Sequence, residues 1–109
     1  MSAEKIIHAV GPDYRCVETE AQILRAERQL AQTYFNILST AVHLRLTTLA
    51  IPTISTGALA FPRQSAARIA LTAVRKFIKA NHGRTLKRVS FLLWPAGGLD
   101  EEHYAANFE

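Results

Sequence analysis

Seven consecutive residues, Ser55, Thr56, Gly57, Ala58, Leu59, Ala60 and Phe61, lie between an apolar run and a helical pattern that opens at Pro62. Small side chains at a strand-to-helix junction leave backbone N–H groups uncovered, and the following helix adds the positive end of its dipole, so the segment outlines a site for a phosphate or diphosphate. The same composition also suits a tightly packed turn with no ligand. The segment is neither a P-loop nor a dinucleotide fingerprint, because the lysine and the second glycine are absent.

Other side chains with reactive chemistry are scattered. His8 stands among apolar neighbours and reads as a hydrogen-bonded core histidine. His43, His82 and His103 share no metal-ligand spacing, and Cys16 beside Arg15 has no base or resolving partner in the sequence. The single cysteine excludes an internal disulfide and, with no Cys-x-x-Cys pair, no structural metal and no cofactor are expected. Trp94, at the end of an apolar run, is read either as a core or rim residue or as one wall of a ligand site. No residue is assigned a catalytic role.

These residues must be positioned by alternating elements. An apolar run at 6–10, stopped by Gly11-Pro12, predicts a strand covered on both faces. From Thr19 the period changes: Ile23, Leu30, Tyr34, Ile37, Leu38, Ala41 and Leu44 fall on one helical stripe, and Thr19 with Gln22 forms a capping box, so a helix is expected to about His43. A second strand is expected at 48–54, with its internal Pro52 marking the strand's exit. A second helix follows, with Pro62 at its first position, a stripe of Ala66, Ile69, Ala70, Ala73, Val74, Phe77 and Ile78, and Gly83 as its stop. A third strand at 89–94 and a short final helix at 100–108 complete the pattern. Strand-helix alternation predicts an α/β fold with parallel strands linked by helices, and ligands in such sheets sit beyond the carboxyl ends of the strands. Loop 55–61 is at such an end.

With 109 residues, 49% of them hydrophobic and 20% charged, the chain is one core-forming domain and not a disordered or low-complexity segment. No apolar run is long enough to span a bilayer, and no signal-peptide pattern opens the chain, which predicts a cytoplasmic or nuclear protein without a membrane partner. The net charge is +4, with Arg63, Arg68, Arg75, Lys76, Lys79, Arg84, Lys87 and Arg88 on and just after the second helix. Such a cluster is either a solvated face or a surface for a polyanion such as RNA or poly(ADP-ribose).

The run Ile6-Ile7-His8-Ala9-Val10-Gly11-Pro12, followed after a helix by Ala50-Ile51-Pro52-Thr53-Ile54-Ser55-Thr56-Gly57 and Phe61-Pro62, resembles the macro domain family of ADP-ribose-binding modules. The resemblance covers nearly the whole chain and implies a three-layer α/β/α fold, of which residues 1–109 match the C-terminal two-thirds. It implies that Ser55 through Phe61 wrap the diphosphate and distal ribose of ADP-ribose, and that Trp94 lies beside the nucleoside. The implied partners are ADP-ribose and ADP-ribosylated protein. The family's Asn-Ala-Ala-Asn segment and first glycine-rich loop have no counterpart here, so hydrolase chemistry is carried to no residue of this sequence; ADP-ribosyl hydrolysis is the alternative activity if a longer chain supplies them. Within the loop, the position of Leu59 is commonly aromatic in the family and that of Ala60 commonly glycine, which implies weakened ligand positioning. The resemblance also implies that a strand is missing between 6–10 and 48–54. Three outcomes follow: the first strand shifts to pair with the second, another copy of the chain fills the gap as a homo-oligomer, or the fold is marginal.

Overall fold

The computed structural model describes residues 6–52, 54–55, 59–80 and 86–92. In chain order these form helix α1 (Glu20–His43), strand β1 (Thr48–Pro52), helix α2 (Arg63–Ala80) and strand β2 (Arg88–Leu92). The expected final helix at 100–108, the Gly83 stop and Trp94 lie outside the described residues.

Helix α1 begins where the capping box places it. The Gln22 amide N–H donates to Thr19 Oγ1 at 3.2 Å, and Gln22 Oε1 accepts from the Thr19 and Glu18 N–H groups at 3.0 and 2.7 Å. Three donors at the helix entrance are thereby satisfied. The other end closes without a glycine. Arg45 takes φ 59°, its N–H donates to the Val42 carbonyl at 2.9 Å, and the Leu46 N–H reaches back to the Ala41 carbonyl at 3.0 Å. This is the paired bonding of a Schellman motif, with arginine in the left-handed position that glycine ordinarily fills.

Strands β1 and β2 are parallel, in a register that sets Thr48 opposite Arg88 and Ile51 opposite Phe91, and α2 is the crossover between them. The α/β expectation of parallel strands linked by helices is met. Side-chain alternation then sorts the sheet. Ile51 is buried, and Leu49, Val89 and Phe91 are half-buried against the core; Thr48, Ala50, Pro52, Arg88 and Ser90 alternate with them and are exposed.

The core lies between the sheet and the two helices. Leu30, Tyr34, Ile37, Leu38 and Ala41 of α1 are buried together with Ala66, Ala67, Ile69, Ala70, Leu71, Val74 and Phe77 of α2. Edge-on ring contacts tie the layers: Tyr34 to Phe91 across 6.5 Å and Phe35 to Phe77 across 5.7 Å. The buried face of α2 is wider than the predicted stripe, since Ala67 and Leu71 are also buried. Ile78, predicted to be buried, is 50% exposed. It shares the buried side by angle but lies in the last turn, where Lys79 and Ala80 are exposed too.

Three boundaries move. Helix α2 starts at Arg63, one residue after Pro62, whose carbonyl accepts the Ala66 N–H at 2.9 Å. Strand β1 ends at Pro52 and not at residue 54, since a proline cannot donate to a ladder. Strand β2 starts one residue early, at Arg88.

The largest correction concerns residues 6–10. They form no strand: Ile6 is 75% and Val10 86% exposed, and His8 is exposed as well, so it is not a core histidine. An apolar run becomes a strand only where a neighbouring edge accepts its backbone groups. The described sheet consists of β1 and β2 alone, so this segment does not shift onto β1.

Candidate ligand-binding site

At the carboxyl end of β1 the chain turns through loop 55–61 into α2. Both ends of this loop are held. The Phe61 N–H donates to the Ser55 carbonyl at 2.8 Å, closing the loop on itself, and the Tyr14 N–H donates to the Leu59 carbonyl at 2.9 Å, tying the loop to the segment that precedes α1. Phe61 is 2% exposed and its ring packs at 4.8 Å on the Tyr14 ring. This apolar anchor fixes the point where the loop enters the helix.

The backbone between the anchors is unusual. Ser55 has φ 66° and Ala60 φ 61°, both in the left-handed region that a side chain disfavours. Such conformations persist where the surroundings over-determine them, and they concentrate at ligand clamps. At Ala60 the positive φ supplies a conformational reason for the glycine expected at this position from the resemblance.

The Ser55 hydroxyl is enclosed and makes no hydrogen bond among the described residues. It is pressed against Gly11, where a Cβ would collide with Ser55 Oγ and stand 2.5 Å from Ile54 Cγ2. A side chain at position 11 is therefore incompatible with this placement of the loop.

Of the predicted site residues, Ser55, Leu59, Ala60 and Phe61 are brought together as one closed turn. Thr56, Gly57, Ala58 and Trp94 lie outside the described residues. Helix α2 carries no acidic residue in its first turn, so no carboxylate there offsets its positive end. Sequence reading missed Gly11 and Tyr14 as parts of this assembly. Gly11 was legible only as a break before proline, and Tyr14 carried no signal, because its role depends on contacts more than forty residues away along the chain.

Near Tyr14, the Arg15 guanidinium grips the Asp13 carboxylate: Nη2 to Oδ2 at 2.6 Å and Nε to both oxygens at 2.9 and 3.1 Å. The Arg15 side chain, followed by the Arg15 backbone N–H, lowers the Asp13 pKa to about 2, and the pair in turn raises that of Arg15. Asp13 is thus a fixed anion at neutral pH and not a proton donor. A separate cleft of about 350 Å³ lies between residues 10–12 and α1, lined by Val10, Gly11, Pro12, Gln29, Gln32, Thr33 and Asn36, and none of the described residues of loop 55–61 lines it. Among the described residues no three histidine, cysteine or acidic side chains gather as a metal site, and no helix is long and apolar enough to cross a membrane.

The Macro domain family model matches residues 1–70, which is more than half of the chain. The chain belongs to the macro domain family. This macro domain is 35% identical over 103 residues to the macro domain-containing protein lmo2759 of Listeria monocytogenes, an overlap that takes in 94% of the chain and 53% of that relative. It is also 35% identical over 94 residues to the ADP-ribose glycohydrolase MACROD2 of Xenopus laevis, covering 86% of the chain and 21% of that protein. Among solved structures, the Oceanobacillus iheyensis macrodomain with ADP superposes with a TM-score of 0.75 at 28% identity, over 90% of this chain and 46% of that one. The chain spans about half the length of the bacterial relatives it matches.

Proposed function

We propose that this macro domain binds ADP-ribose, or a related diphosphate-ribose ligand, through loop 55–61, and that it binds weakly. The observation that carries this reading is the loop's closed geometry: the Phe61-to-Ser55 hydrogen bond and the two left-handed residues hold a turn of small residues between the end of β1 and the start of α2. A turn of that kind gathers backbone N–H groups into an anion-binding concavity. The likeness to a macrodomain solved with ADP, which contains the nucleoside diphosphate of the proposed ligand, supports the choice. Leu59 in place of an aromatic and Ala60 in place of glycine lower the affinity. Trp94 is proposed as the nucleoside-side wall.

Titration calorimetry with ADP-ribose, AMP and ribose 5-phosphate tests the reading. ADP-ribose is expected to bind and the fragments to bind less. The absence of heat with ADP-ribose at millimolar concentration overturns it. Gly57→Val is expected to abolish the heat while the circular dichroism melt is retained, because a branched side chain in a segment of small residues that must approach a diphosphate takes the ligand's place.

Three further readings each rest on an observation of their own. The likeness to an ADP-ribose glycohydrolase favours ADP-ribosyl hydrolysis in a longer chain; for these 109 residues alone, no release of ADP-ribose from a modified protein is expected. Exposed Arg75, Lys76, Lys79, Lys87 and Arg88 favour a polyanion such as poly(ADP-ribose) or RNA, with affinity falling steeply as salt rises. The β1 edge that no described strand covers favours a homo-oligomer, which light scattering on a concentration series would detect.

A further inference from the structure

We propose that Tyr14 is a positioning residue for the ligand loop, acting through the strap of residues 11–14 rather than by touching ligand. The inference rests on the reading of loop 55–61 as the ligand site, and it names what sets that loop's affinity.

The strap meets the loop at both ends. At the entrance Gly11 lies against Ser55, and at the exit Tyr14 holds the Leu59 carbonyl through its N–H and Phe61 through its ring. Between these contacts stand the two residues with left-handed backbone, Ser55 and Ala60, neither of them glycine. A backbone that disfavours its own conformation relaxes when its supports are removed. The loop's internal bond, Phe61 N–H to Ser55 carbonyl, spans both strained positions and is the first that such relaxation would break. With the strap in place the amides are organised before ligand arrives. Without it, the ligand must order the loop on binding, and affinity falls although no ligand contact has been removed.

The Asp13–Arg15 ion pair brackets Tyr14 in sequence, with the Arg15 backbone N–H also donating to Asp13 Oδ1 at 3.0 Å. These bonds shape the strap into the turn that presents the Tyr14 ring to Phe61.

The test compares the wild type with Tyr14→Ala, Tyr14→Leu and Tyr14→Phe, by backbone amide hydrogen exchange without ligand and by calorimetry with ADP-ribose. In Tyr14→Ala the Phe61 amide is expected to exchange about tenfold faster while the Ala70 amide in α2 keeps its protection, and the dissociation constant for ADP-ribose is expected to rise about tenfold. Tyr14→Phe, which keeps the ring and the amide, is expected to restore both readouts. Tyr14→Leu, which keeps apolar cover, is expected to fall between and serves if the alanine variant does not fold. Equal acceleration at Phe61 and Ala70 would show general destabilisation and overturn the proposal. Unchanged Phe61 protection would overturn it too. A wild type that gives no heat with ADP-ribose rejects the ligand reading alone, and the exchange comparison still decides whether Tyr14 holds the loop.

Discussion

Gly11 and Ser55, forty-four positions apart, are in such close contact that the serine hydroxyl occupies the space where a side chain at position 11 would begin. The contact joins the segment before α1 to the end of β1, and it explains a glycine at a place where no turn is formed. Replacement by alanine has two opposed effects. It stiffens the unfolded chain, a gain of about 0.4–1 kcal/mol, and it forces Ile54 and Ser55 to move, which in a packed site costs about 1–3 kcal/mol. Overpacking wins, so Gly11→Ala is expected to destabilise the protein in urea unfolding, and Ser55→Ala in the same chain to recover part of the loss.

Arg45 closes α1 in a left-handed conformation, at φ 59°, and is exposed. A Cβ there is a steric cost that glycine avoids, offset in part by the greater freedom of glycine in the unfolded chain. Arg45→Gly is expected to stabilise the domain by about 0.5 kcal/mol and to raise Tm by a few degrees in a thermal melt. A lower Tm would show that the arginine side chain makes a compensating contact.

The capping box at Thr19 lies on the exposed entrance of α1. Thr19→Ala is expected to cost about 1 kcal/mol of stability by circular dichroism. Ligand affinity measured below the melting range is expected to be unchanged, because the described residues of loop 55–61 are held by Gly11 and Tyr14 and not by Thr19.

Asp13 supplies a pH dependence whose sign is set by the direction of its shift. Its folded pKa, near 2, is below the ordinary aspartate value of 3.8, so the pair contributes stability above about pH 4 that is lost as pH falls toward 2. The group is exposed, and the contribution is correspondingly small. In an NMR titration the Asp13 carboxyl is expected to show a midpoint near 2. A midpoint near 4 would mean that the Arg15 pair does not persist in solution.

Local information was enough for much of the fold. The capping residues of α1, the apolar stripes of both helices and the proline that ends β1 are dictated within a few residues of where they act, so periodicity and capping chemistry placed them. The small-residue loop was legible for the same reason, as was the family to which its motif points. What local pattern could not supply is anything that depends on a distant partner. Residues 6–10 have the composition of a strand and are none, because a strand needs an edge to receive its N–H and C=O groups. Ser55, Ala60 and Arg45 take left-handed backbone without the glycine that would have announced it. At Ser55 and Ala60, beside the tertiary contacts with Gly11 and Tyr14, an intrinsic preference of about 1–2 kcal/mol per residue is overridden. The sequence by itself determined α1, α2, β1 and the small-residue loop between β1 and α2; only the tertiary structure decided how the described ends of that loop are held, because they are fixed by contacts of Gly11 and Tyr14 with Ser55, Leu59 and Phe61 that no short-range pattern encodes.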